Sequence, residues 1–267
     1  MKKTTRAPSI DDVVAFISCN APQEGQSTTK NPFRGRKFPY ETADLAIEEL
    51  HKKRKYLDLE AYDLLGTMRM WHTSSEGTNY ELARKATRKL LQKLDSKQTT
   101  ASRVALLPTI TQHHFHRVTI NQYGTTLHGM LAAVYDNSPF SGIKDLIQHD
   151  ADFAEFSDFQ QYDMKKARRQ TWFDKDKNKN YPLARLTTKL LLQKIKEQKG
   201  DVSWAEILPT IRADMFHNTP INRYGTTLRG MINLVYAGSP YLALKDLIEH
   251  DAEMRNFCSV IETRRHQ

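Results

Sequence analysis

Two His-Asp pairs, His149-Asp150 and His250-Asp251, stand 101 residues apart in this chain. Adjacent His and Asp ligands belong to metal-dependent phosphohydrolase centres, where a further upstream histidine and a downstream aspartate complete a site that activates water. Those partners cannot be assigned here, and a helix end that happens to carry His and Asp is the simpler expectation. The run His113-His114-Phe115-His116 offers three imidazoles within four residues. A regular helix turns them to different sides, whereas zinc needs converging ligands. The matching run one period later keeps only His217. There is no Walker phosphate loop, no GxSxG elbow and no dinucleotide fingerprint after a strand. The expectation is no catalytic residue, no metal and no cofactor. A metal-dependent nuclease or phosphohydrolase using His149 or His250 stands as an outlying alternative.

Cationic chemistry is better represented. Net charge is +9 and the sequence pI is about 9.4, a balance that favours anionic partners. The charge is unevenly spread. Residues 79–105 hold seven basic and two acidic side chains, residues 106–156 two and five, and residues 164–180 seven and two. Lys85, Lys89 and Lys93 are spaced four apart, with Arg84 and Arg88 in a parallel row. Like charges at that spacing cost a helix roughly 0.2–0.5 kcal/mol per pair, so a partner for the ridge is expected. The second copy keeps Arg185, Lys189 and Lys194 and turns Lys85 and Lys89 into Leu186 and Leu190, as if to bury that row against a neighbour. Lys165, Lys166, Arg168 and Arg169 form a second basic zone with the composition of phosphate-gripping helices. The competing explanation of every such run is a solvated charged face.

The elements that must position these groups are written twice. At an offset of 101 residues, Leu106–Phe156 aligns on Ile207–Phe257 without a gap, and 27 of 51 positions are identical. The match extends backward through Trp71 on Trp172 and through "NYELAR" on "NYPLAR", and a fainter copy of the closing piece lies at Phe38–Leu50. Fixed-period identity of this kind means duplicated supersecondary modules. The expected fold is all-α: two tandem pseudo-symmetric helical repeats of about 100 residues, with residues 1–37 as a flexible basic tail, 38–138 as the first unit and 139–267 as the second with a C-terminal partial repeat.

Ser138-Pro139 and Ser239-Pro240 read as a helix cap followed by proline in the first turn. Leu82, Ala86, Leu90 and Leu94 share a face, and 158–172, lacking Gly and Pro, predicts a further helix. The shared stretch "YGTTLxGM" predicts a turn, a helix capped by Asn121 or Asn222 with Gly124 or Gly225 in its first turn, and Leu127, Met130, Leu131 and Val134 facing inward. Gly129 and Gly230 are expected to admit a close neighbour.

No apolar run approaches the roughly 18 residues of a membrane helix, so no membrane partner is expected. Cys19 and Cys258 are the two cysteines, which argues against a disulfide framework and suits a reducing compartment. The functional expectation is a non-enzymatic nucleic-acid-binding protein, duplex DNA ahead of RNA, in the cytoplasm or at the nucleoid or nucleus. Its phosphate contacts would be Arg84, Arg88, Lys93, Arg185, Lys189 and Lys194, with Lys165, Lys166, Arg168 and Arg169. The alternative is a protein-interaction scaffold, a regulator or secreted effector gripping a partner protein that includes acidic surface.

Overall fold

A computed structural model of the chain describes residues 71–73, 77–97, 99–121, 124–165, 169–174 and 176–262. The expected tail, the copy at Phe38–Leu50, and Lys166 and Arg168 lie outside the described residues, as does the side chain of Arg169. The described chain is mostly helical. Its strands are a two-residue antiparallel pair, β1 (His72–Thr73) and β2 (Gly77–Thr78), with Phe173 and Lys179 forming a lone bridge further on.

The long first helix, α1 (Tyr80–Leu94), starts where Asn79 caps it: the Asn79 carboxamide oxygen accepts from the Leu82 N–H at 3.0 Å. Leu82, Ala83, Ala86, Leu90 and Leu91 are its buried face, the spacing of an amphipathic helix. Then come α2 (Thr100–Leu106), a 3-10 turn at Leu107–Thr109, α3 (Gln112–Arg117), α4 (His128–Tyr135) and α5 (Pro139–His149). Ser138 caps α5 with its hydroxyl, and Pro139 occupies the first turn.

The same order follows from α6 (Tyr181–Lys199), capped by Asn180 and ended at Gly200. It continues through α7 (Trp204–Ile207), a 3-10 turn at Leu208–Thr210, α8 (Ala213–Asn218), α9 (Arg229–Tyr236) and α10 (Pro240–His250), and closes with α11 (Cys258–Glu262).

Of the described residues, those up to Leu106 together with Ile110–Asp158 form one compact unit; Leu107–Thr109 and those from Phe159 on form the other. The sequence phase puts a unit boundary at 138/139, and among the described residues the contacts group the helices up to Asp158 with α1. A repeat has no intrinsic starting point, so sequence phase does not say which copy a helix packs with. In the first unit, α5 packs against α1 and α4 around Phe115, Leu127, Met130, Ile143 and Leu146. The second unit has its own apolar cluster, centred on Leu191, Ile207, Phe216, Met231 and Leu244.

Two local expectations are corrected. The stretch 158–172 is not one helix. It holds short 3-10 turns at Gln161–Asp163 and Arg169–Trp172, because Asp163 is drawn 97% out of solvent by tertiary hydrogen bonds that a continuous helix would break. The Asn222 carboxamide and the Thr226 hydroxyl donate to its Oδ1 at 2.6 and 2.5 Å, and the Gln160 N–H donates to Oδ2 at 2.8 Å. The "YGTT" segment is likewise a loop and not the first turn of a helix. The Asn222 Oδ1 accepts from the Tyr224 and Thr226 N–H groups, Ile221 N–H donates to the Thr226 carbonyl, and α9 begins only at Arg229. Gly225 makes the reversal with φ +74°, a region costly for residues with a Cβ. Val134 is half-buried and Tyr135 takes the inward place beside Leu127, Met130 and Leu131.

Gly225 and Gly230 are both retained between the copies, yet only one is needed. A Cβ on Gly230 would meet Trp172 at 3.8 Å, an ordinary contact, so no close approach requires that glycine. Gly225→Ala is expected to destabilise the second unit by about 1–2 kcal/mol. Gly230→Ala should be neutral, or stabilising by about 0.5–1 kcal/mol from lost backbone freedom. Urea unfolding of the two variants distinguishes them.

Candidate functional site

The basic row on α1 is met by carboxylates from α5. Arg84 Nη1 donates to Asp145 Oδ1 at 3.3 Å, while the Tyr135 hydroxyl, reaching over from α4, donates to Asp145 Oδ2 at 2.7 Å. One aspartate thus ties three helices. One period later the atoms recur: Arg185 Nη1 to Asp246 Oδ1 at 3.3 Å and the Tyr236 hydroxyl to Asp246 Oδ2 at 2.6 Å. Burial, then the bond to the carboxylate, pushes both phenols well above the usual tyrosine range, so they stay protonated donors.

A second brace lies one turn along. Arg88 pairs with Asp150 at 3.0 Å and with Asp152. Its counterpart Lys189 pairs with Asp251 at 2.8 Å and Glu253 at 2.7 Å. Hydrogen bonding to Asp251 and then Glu253 raises the Lys189 pKa, and the bond from Lys189 lowers that of Asp251. Arg84, Arg88, Arg185 and Lys189 are therefore structural braces, whatever else they touch.

These braces also account for the His-Asp pairs. His149 turns back on its own helix, with Nδ1 2.9 Å from the Asp145 carbonyl and 3.1 Å from its Oδ1. Asp150 turns the other way, to Arg88 and to the Asp152 N–H. His250 and Asp251 diverge in the same manner. The three imidazoles at 113–116 have separate partners: His114 Nδ1 accepts from the Thr111 N–H, His116 meets the ring of His128, and His113 is exposed with its ring 6.4 Å from that of His114. Among the described residues, no group of three or more His, Cys, Asp or Glu is placed to hold a metal ion.

The parallel lysine row lies on the outer face. Lys85, Lys89 and Lys93 are all exposed along the outer face of α1, and Lys97 is exposed just beyond it. At the equivalent places in α6, Leu186 is 54% exposed and Leu190 is half-buried against the second core. Leu186 is not buried against a neighbour, contrary to the sequence expectation. Lys194 pairs with Glu197 at 3.1 Å on an open part of α6. Lys165 is exposed, its backbone N–H bound to the Pro108 carbonyl at 2.8 Å.

No family model, curated protein or solved structure matches this chain. Function is to be read from its own surfaces. The residues that sequence reasoning passed over are Tyr135, Tyr236, Asp145, Asp246 and Asp163. Each sits in an otherwise apolar or unremarkable context, and the tyrosine and aspartate that meet are ten residues apart. The only available signal was their recurrence at the 101-residue period, which a duplication gives to every position alike.

Removing the bracket should be costly. Asp246→Asn leaves Arg185 without its carboxylate, and is expected to cost about 1.5–3 kcal/mol in urea unfolding. Lys93→Ala, on the open face, should stay within about 0.5 kcal/mol. The Lys189–Asp251 pair sets a pH window. The depressed Asp251 contributes fully above about pH 3.9 and loses its contribution as pH falls through its folded value. The raised Lys189 contributes fully below about pH 10.4 and loses its contribution as pH rises through its folded value. Lys189→Met should therefore flatten the stability profile at both ends, as measured by unfolding midpoints across pH.

Proposed function

We propose that this chain is a non-enzymatic nucleic-acid-binding protein, made of two tandem pseudo-symmetric helical units with a 101-residue period, that grips phosphates through basic helix faces, duplex DNA ahead of RNA. The observation that carries this reading is the exposed lysine row of α1, where Lys85, Lys89 and Lys93 project from successive turns and Lys97 continues the line. Lysines in such a row act as mobile point charges suited to a phosphate backbone, giving affinity more than sequence preference. Lys165, Lys194 and the neighbouring Lys166, Arg168 and Arg169 extend the set of proposed contacts. Arg84, Arg88, Arg185 and Lys189 contribute to the field but are already engaged by carboxylates. Such a protein would work in the cytoplasm, or at the nucleoid or nucleus.

A second reading, a protein-interaction scaffold, is favoured at the second unit by its own observation. Leu186 and Leu242 are exposed there at 54% and 45%. Leu186 and Leu242 replace Lys85 and Ser141 of the first copy.

The test is a binding titration against duplex DNA, single-stranded DNA and RNA at two salt concentrations. The companion variant removes the charges of Lys85, Lys89, Lys93 and Lys97 and leaves the arginine braces intact. For the native chain, log affinity should fall with log salt, and the variant should lose about 0.9 of that slope per duplex phosphate given up. Salt-independent binding, or unchanged binding by a folded variant, overturns the proposal. It would then direct the search to protein partners through Leu186→Ala and Leu242→Ser.

A further inference from the structure

The first unit contains a histidine pair that the second does not repeat. His116, on α3, meets His128, at the start of α4, with ring centroids 4.1 Å apart and planes at 89°. The Nε2 atom of His116 is buried without a hydrogen-bond partner. The ionisable groups around it are His113 and Arg117 on α3 and His128 on α4. The described residues of the intervening loop, 118–121 and 124–127, carry no charge. One period later, His217 also has a buried Nε2 without a partner, but Arg229 stands at the place of His128.

A neutral imidazole tolerates this setting. A proton on Nε2 would be buried with no acceptor, and the charge would face a second titratable ring and an arginine. Burial first, and then His128, His113 and Arg117, hold the His116 pKa below the usual histidine value.

We propose that the His116–His128 pair is an acid-sensitive latch between α3 and α4, closed at neutral pH and loosened when acidification places a proton on His116. The sign follows from linkage. Above about pH 6.5 neither folded nor unfolded chain binds the proton, and the latch contributes fully. As pH falls towards the lower folded value, the unfolded chain takes up the proton first and the contribution is lost. The consequence is not confined to the latch. Helix α4 also carries Tyr135, whose hydroxyl holds Asp145, so loosening α4 reaches the carboxylate that Arg84 uses.

Histidine-resolved NMR titration of the full chain, with amide hydrogen exchange at pH 7.5 and 5.5, tests this. His116 should titrate below about 6.5, and α3–α4 amides should exchange faster at the lower pH after correction for intrinsic rates. At pH 5.5, about one unit below the unfolded value, the acceleration should be several-fold and cannot exceed about tenfold, however far His116 is depressed. His116→Phe should abolish the acceleration. His128→Gln, which keeps the His116 ring, should raise its titration point and shrink the effect, and it carries the comparison where His116→Phe fails to fold. A His116 that titrates at or above 6.5, or an acceleration unchanged by either variant, overturns the latch.

Discussion

A single partly buried carboxylate organises each unit. Asp145 and Asp246 have a cation on one oxygen and a phenol on the other, so three helices share one acid. Taking such a carboxylate from water is unfavourable unless its lone pairs are filled. Here each oxygen has a donor, one of them charged, which is the arrangement that makes burial affordable. Breaking any one contact leaves another group stranded. The long helix, the helix after the "YGTT" loop and the Ser-Pro helix are therefore held as a set, and the apolar residues beneath them close-pack in that frame. The second brace, from Arg88 or Lys189 to the acids that follow α5 or α10, fastens the far side of the same helix pair.

This arrangement changes what the net charge means. Along the sequence, a basic helix precedes an acidic segment, and the basic helix looks like an open electropositive ridge. In space the two segments face each other and neutralise much of it. The arginine row is engaged by carboxylates, and Lys85, Lys89 and Lys93, one residue over, are exposed. Helical geometry makes that separation: positions 84 and 88 lie about 100° round the helix from 85 and 89. A residue's basicity fixes its sign, and its angular place decides whether it faces the carboxylates of α5 or the outer side of the helix.

Helix content, the Ser caps with their Ser-Pro starts and most apolar faces were legible in the sequence, because each rests on contacts within a turn or two, whereas the caps Asn79 and Asn180 were not read and Asn222 closes a loop. Leu82, Ala86 and Leu90 are buried as their spacing implied. The failures have a common cause in distance. The stretch around Asp163 reads as helix locally, yet that acid is held by Asn222 and Thr226, which follow it by about sixty residues. The "YGTT" segment has helical neighbours, yet Asn222 spends its side chain closing a loop. Tyr135 and Asp145 carried no mark of a partnership. Arg84 and Arg88 were grouped with the lysines because a one-dimensional charge count cannot see α5.

Duplication sharpens how the two copies should be compared. Where they agree, the agreement falls largely on brackets, caps, the loop glycine and core positions, all of which the fold needs twice. Identity is thus accounted for by architecture and points to no partner. Divergence on exposed or interfacial positions is more informative, because the shared framework holds the surroundings nearly constant. The change from Lys85 and Lys89 to Leu186 and Leu190 alters an outer helix face without disturbing the braces beside it. The change from His128 to Arg229 replaces a titratable side chain by a permanent cation, while His116 and His217 both keep a buried Nε2 without a hydrogen-bond partner. Leu186 puts apolar surface where Lys85 puts exposed charge, while Leu190 packs on the second core where Lys89 is exposed. At one equivalent pair of exposed positions, Lys85 and Leu186, the first segment carries charge where the second carries apolar surface, and it is this difference, not the shared residues, that bears on what each could bind.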